Sequence, residues 1–295
     1  MADVVVKAVG LRKSYRAGGV PLLVLRGIDL SVPCGECLFL AGPSGSGKTT
    51  LLSILGCVLS ADAGRLEILG SDVTAFSAAE QARFRREKIG FVFQKFHLFE
   101  ALSSLENVKV PLDLLGWPAR KARRAAAELL GLVGLSEKAH SRVTQLSMGQ
   151  RQRVALARAL AGDPELILAD EPTASLDADS GATAMRVLKG LCQSLRKTVI
   201  VVTHDARIFP MADRILKLAD GRIASEEGAE RLSDSGPISV NPSYLYRAIQ
   251  TPPPFGAELG RVPPPTIGAP NSGEFGYAGA SNPGQRPGRA GYGAT

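Results

Sequence analysis

The chain has 295 residues, 45% hydrophobic and 21% charged, and 35 Lys plus Arg against 28 Asp plus Glu give it a formal net charge of +7. Aromatics are only 5%, so a globular core must be aliphatic, and the basic excess suits an anionic partner without choosing one. No apolar run reaches the roughly 20 residues of a membrane span, and residues 1–9 lack the basic start and apolar stretch of a signal peptide, so neither a membrane-spanning nor a secreted protein is expected.

In chain order, short apolar runs predict buried strands at residues 37–41, 66–69, 89–93, 166–169 and 199–203. Helical stretches at 48–59, 119–131 and 148–161 lie between them. This alternation predicts an α/β fold with a largely parallel sheet. Residues from about 95 to 147 carry no strong strand and predict a helical insertion, in which Arg120, Lys121, Arg123 and Arg124 read as a solvated face. Cys34-Gly35-Glu36-Cys37 has the spacing of a redox or half-zinc motif. It leads into a strand rather than a helix, and no second pair completes a zinc site, so small apolar residues in a reducing compartment are the expectation. The last 63 residues hold 11 of the 19 prolines and 11 of the 32 glycines, which predicts a disordered tail at 233–295. Within it, residues 244–249 have the composition for one short docking helix. No internal repeat is present, so a single nucleotide-binding unit is expected.

Three motifs carry chemistry. Gly42-Pro43-Ser44-Gly45-Ser46-Gly47-Lys48-Thr49 matches G-x-x-x-x-G-K-[ST] between a predicted strand and a predicted helix. Its glycines let consecutive backbone N–H groups face phosphate oxygens, and the helix start adds partial positive charge. Lys48 supplies a full charge for the β- and γ-phosphates, and the Thr49 hydroxyl can ligate Mg2+. Further along, Ser147 is a good helix cap and Gly149 permits close approach, making a second anion-accepting helix start. Finally, strand 166–169 delivers Asp170 and Glu171 to the edge where parallel sheets place ligands. Asp170 can hold a hydrated Mg2+ and Glu171 can orient or deprotonate an attacking water; the carboxylate pair favours hydrolysis over transfer to an acceptor.

Together these residues resemble the ABC ATPase family. Leu146-Ser147-Met148-Gly149-Gln150 stands where the family has L-S-G-G-Q, and R-Q-R-V-A-L-A-R-A-L follows. The resemblance covers residues 4–226. It implies a P-loop (RecA-like) core sheet with an inserted α-helical subdomain and a small antiparallel β subdomain, the tail lying outside. It further implies that Tyr15 stacks on adenine, that residues 42–50, including Thr50, hold the phosphates of ATP, and that Gln94 reaches Mg2+ and the attacking water. Thr49, Gln94 and Asp170 would hold the metal. His204 would contact the γ-phosphate, and Asp177, in Ser175-Leu176-Asp177, would pass information between two sites. Family members close head to tail as homodimers, so that Ser147, Gly149 and Gln150 of one copy meet the phosphate loop of the other. Met148 departs from the family motif; the flanking residues make the phosphate contacts, so it should be tolerated, with a slower rate as its one expected effect. Residues 95–102 would form part of the groove that receives a coupling helix from separate integral membrane permease subunits, which puts the chain at the cytoplasmic face of the plasma membrane. Residues 91–112 resemble the macrolide-exporter, lipoprotein-releasing and heterocyst-glycolipid exporter branch, although importer branches for amino acids share much of this pattern. No nucleic-acid partner is expected. The alternative is a non-transport ABC ATPase acting on nucleic acid or ribosomes; those proteins usually carry two ATPase units or a long coiled coil, and neither is present in this sequence.

Overall fold

The computed structural model describes residues 3–17 and 20–228; the stretch 233–295, with residues 244–249, lies outside the described residues. Val4–Ala17 (β1) and Val20–Pro33 (β2) pair antiparallel, with Val6 opposite Val32 and Tyr15 opposite Leu22. Cys37–Ala41 (β3), helix Lys48–Leu55 (α1), strands Ala63–Ile68 (β4) and Ser71–Asp72 (β5), helix Ala78–Lys88 (α2) and strand Ile89–Val92 (β6) follow. Helices Ser104–Leu114 (α3), Ala119–Leu132 (α4) and Met148–Leu160 (α5) precede Leu166–Asp170 (β7). Ala178–Leu195 (α6), Thr198–Val202 (β8), Arg214–Ala219 (β9) and Arg222–Gly228 (β10) end the described chain.

The strands form two sheets. A four-stranded antiparallel sheet runs β2-β1-β4-β5, and a six-stranded sheet runs β10-β9-β3-β8-β7-β6, parallel except for β10. β3 and β8 are buried at every residue because both faces of the parallel sheet are covered. Successive side chains go to opposite layers, as a period of two requires. Phe39, Ala41, Ile167, Ala169, Val199 and Val201 pack with α3 to α6, whereas Leu38, Leu40, Leu166, Leu168, Ile200 and Val202 pack with α1 and the antiparallel sheet.

Helix boundaries follow their caps. α3 and α5 each open on a capping box, Ser103 with Glu106 and Ser147 with Gln150. α4 buries Ala122, Ala125, Ala126, Leu129 and Leu130, while Arg120, Lys121, Arg123 and Arg124 are exposed, as the charge pattern predicts. The four thiols are free. Cys37 is buried at the start of β3, and a hydrogen bond with it, then burial, push the Cys192 thiol up. Among the described residues no helix is long and apolar enough to cross a membrane.

Two sequence-based expectations need correction. The helix predicted over 48–59 stops at Leu55: Gly56 caps it, Cys57 turns to φ 53, and the chain cannot continue as an α-helix. The apolar run 66–69 is not a strand of the parallel sheet. Leu66 and Ile68 belong to β4 of the antiparallel sheet, and Leu69 leaves the strand at φ 50 before Gly70.

Candidate functional site

Four parallel strands end on one edge, and each delivers residues singled out in the sequence. β3 leads into the glycine-rich loop, β6 into Gln94, β7 into Asp170 and Glu171, and β8 into Thr203 and His204. They surround a single cavity of about 690 Å³. Gly42, Pro43, Ser44, Gly45 and Gly47 line it from the loop, and Lys48, Thr49 and Thr50 from the first turn of α1. Gln94, Asp170, Glu171 and His204 line it from the other three strand ends. Ser46 is buried behind the loop, its hydroxyl without a partner.

Two glycines fix the shape of the loop. Gly42 has φ 145, and a Cβ there would lie 2.2 Å from the Leu218 carbonyl oxygen. Gly47 has φ 99, and a Cβ would lie 2.8 Å from Leu25 Cδ2. Both positions exclude a side chain by contact as well as by conformation. Lys48 is only 8% exposed, and its Nζ donates to the carbonyls of Gly42 at 2.8 Å and Pro43 at 2.7 Å. Neutral carbonyls hold a cation more weakly than a phosphate does, so an entering phosphate can take over this ammonium.

The Thr49 hydroxyl donates to Asp170 Oδ1 at 3.4 Å. Burial, then the neighbouring charge of Glu171, raises the pKa of Asp170. A hydroxyl beside a carboxylate whose charge is disfavoured where it sits is the oxygen donor set that a hard divalent cation satisfies. Glu171 adopts φ 47, anchored by its N–H donating to Val202 O at 2.9 Å. One of its carboxylate oxygens meets His204 Nδ1 at 2.8 Å; the other, Oε2, is buried with no partner. An ionised carboxylate only accepts, so Nδ1 carries the proton and donates. The orphaned oxygen has the capacity to hold a water.

His204 therefore bonds to Glu171 here, with its ring 69% exposed at the cavity. Tyr15 is exposed on β1 and does not line the cavity; its cross-strand neighbour Leu22, and Val24, line it from β2. Sequence reasoning passed over these two. Leu22 is 55% exposed and Val24 half-buried, and neither carried a sequence signal that could have found it.

Ser147, Gly149, Gln150 and Asp177 stand apart from the cavity lining. The Gln150 N–H donates to Ser147 Oγ at 3.3 Å, and the Ser147 N–H to Gln150 Oε1 at 3.0 Å, which orders the first turn of α5. Ser147 and Met148 are exposed. A Cβ on Gly149 would lie 2.7 Å from Ser180 Oγ, so α5 starts hard against α6. Asp177 caps α6 by accepting from the Ser180 N–H at 2.9 Å, and that bond holds its pKa down.

Residues 25–174 match the family model described as ABC transporter. A macrolide export ATP-binding/permease protein of Nitrosomonas europaea is 43% identical over 230 residues, covering 78% of this chain and 35% of that protein. The chain spans about a third of the length of the first curated relatives it matches. An uncharacterized ABC transporter ATP-binding protein of Thermotoga maritima is 45% identical over 227 residues, covering 77% of this chain and 95% of that one. Among solved structures, an ATP-binding cassette in a dimeric post-hydrolysis state with ADP and Pi superposes with a TM-score of 0.72 at 40% identity, covering 76% of this chain and 98% of its own.

Proposed function

The chain belongs to the ABC transporter family and is an ATPase, and from that premise we propose that it is the ATP-hydrolysing subunit of an exporter, driving a separate membrane permease. The observation that carries the reading is a division of labour in one chain. Lys48, Gln94, Asp170, Glu171 and His204 gather around the phosphate loop, while the second anion-accepting helix start, at Ser147 and Gly149, faces outward. A cavity that holds phosphates on one side and lacks that helix start is completed by a second copy arranged head to tail. The dimeric cassette among the structural relatives supports this.

In this reading the loop amides and Lys48 hold the phosphates, with Thr50 on the same turn. Thr49, Asp170 and Gln94 would hold Mg2+, which when bound offsets phosphate charge as it develops. Glu171 takes the proton of the attacking water, and His204, bonded to its Oε1, holds the carboxylate in place at the cavity. Ser147, Gly149 and Gln150 of the second copy close over the γ-phosphate, and Asp177, capping the helix against which Gly149 packs, links one site to the other. Tyr15, beside Leu22, meets the adenine on closure.

The ATPase unit is assigned to residues 4–226, with the helical subdomain at about 95–147 and the stretch 233–295 as an appendage. A second cavity of about 460 Å³, lined by Val58, Phe91, Phe93, His97, Pro111 and Leu114, offers apolar surface for a permease helix. Relatives named as export ATP-binding/permease proteins, including one for pyoverdine in Pseudomonas syringae, support export and a permease partner at the cytoplasmic face of the plasma membrane. The test is co-expression with a candidate exporter permease that lacks an ATPase unit of its own. The chain should sediment with membranes only when that permease is present, and Leu114→Glu, at an exposed lining residue of the second cavity, should abolish sedimentation while sparing ATP hydrolysis by the isolated chain. Membrane association that ignores both changes refutes the reading.

A further inference from the structure

The last arginine of the run that follows the outward-facing helix start does not line the phosphate cavity; it lines the second cavity, beside His97. Arg158 lies in the final turn of α5, and at 1.5 Å per residue Ser147 is about 16 Å away along one continuous helix. Its guanidinium is half-buried and reaches out of the helix to the segment after β6. Nη2 donates to Phe96 O at 2.6 Å, and Nη1 donates to His97 O. Among the described residues it has no acidic partner, and burial alone acts on its pKa, lowering it.

The two carbonyls it binds belong to an unusual stretch of backbone. Phe96 has φ 59 and His97 has φ 47, consecutive non-glycine residues in the left-handed region, which is costly unless surroundings enforce it. Here the surroundings do. The Phe96 side chain is buried in the core, and its N–H donates to Phe93 O at 2.9 Å. The His97 ring stacks on Phe93 with centroids 4.8 Å apart, and Phe93 stacks on Phe91 at 5.2 Å. The turn is thus pinned at Phe93 and at Phe96, and the residues between these pins are Gln94 and Lys95. Without the fork of Arg158, two carbonyls lose their donor and the left-handed pair can relax.

We propose that Arg158 is a positioning residue for hydrolysis: by holding Phe96 and His97 in the left-handed region it sets where Gln94 stands in the cavity. The helix whose first turn closes over a partner's phosphate therefore also ends on the residue that aims Gln94. This rests on the reading that Gln94 takes part in hydrolysis, and the test separates the two.

Steady-state ATPase is measured on the full chain as wild type, Gln94→Ala, Arg158→Gln and the double variant. Arg158→Gln should lower kcat by up to about 10²-fold, the cost of a misplacement near 1 Å, with KM for ATP unchanged because the phosphate loop is untouched. In the Gln94→Ala background the same change should cost nothing more. Arg158→Lys, which keeps the charge and can serve one carbonyl, should fall between, and it replaces Arg158→Gln if that variant does not fold. Losses that multiply in the double variant, or a normal kcat in Arg158→Lys and Arg158→Gln, overturn the inference and leave Gln94 in place. A normal kcat in Gln94→Ala overturns the reading of Gln94 and this inference with it.

Discussion

Replacing Gly149 with alanine adds one methyl group at the start of α5 and separates the stability of the chain from its chemistry. The backbone there is ordinary helix, so alanine brings no conformational strain and gains roughly 0.5–1 kcal/mol over glycine. Against that gain, the new Cβ lies 2.7 Å from Ser180 Oγ and 3.1 Å from Ser180 Cβ. The hydroxyl can rotate away, leaving a shift of a few tenths of an ångström for α6 to absorb. The two effects nearly cancel, so the melting temperature should move by no more than about 4 °C. ATP hydrolysis should respond very differently. A phosphate of the partner's nucleotide must approach the first amides of α5, and losing one such donor to a developing anion costs roughly 10²–10³ in rate. Thermal melting, nucleotide binding to the isolated chain and steady-state phosphate release should give near-normal values for the first two and a loss of about 10²-fold or more for the third. Normal turnover in this variant would show that no phosphate comes near Gly149 and would refute the shared-site reasoning.

Glu171→Gln preserves the shape of the side chain and its acceptor for His204 but removes the base, so ATP should still bind while turnover drops by about 10²–10⁴ in a phosphate-release assay. Asp170→Asn should raise the thermal stability of the nucleotide-free protein at neutral pH. The native pKa of Asp170 is raised by burial and by Glu171, so its charge destabilises the fold above that pKa, and the penalty vanishes as pH falls below the unfolded value of about 3.9. Melting curves across pH should therefore show the advantage of the Asp170→Asn variant shrinking on acidification, and a constant or growing advantage would contradict this. Deleting residues 233–295 should leave ATP hydrolysis and the melting temperature nearly unchanged; a collapse of either would make the tail part of the fold.

What could be read from the sequence, and what could not, follows from how local each signal is. The runs at β3, β7 and β8 were legible because a strand covered on both faces must be apolar throughout, and the glycine-rich loop was legible because its chemistry is written in consecutive residues. The end of α1 was not. Gly56 alone is tolerated inside a helix, and the turn at Cys57 is made by a residue with no preference for it. The run at 66–69 looked like the other buried strands, since apolarity says a strand is covered but not which sheet it joins. β1 and β2 lack a clean alternation because Val20, Leu22 and Leu23 point apolar side chains outward. At the site, Lys48, Asp170 and Glu171 came from motif and strand position together. The left-handed pair at Phe96 and His97 and its clamp by Arg158 depend on contacts 61 and 62 residues apart and left no local trace.

The proposed function stands or falls on whether one copy's phosphate loop and another's α5 enclose the same nucleotide. Sedimentation of the full-length Glu171→Gln chain, with and without Mg2+ and ATP, answers this, because slowed hydrolysis holds the closed state long enough to weigh it. The mass should double only when both Mg2+ and ATP are present, and Gly149→Ala added to the same chain should prevent the doubling. A chain that stays monomeric with saturating ATP, or that dimerises equally without it, would show that the nucleotide is not shared.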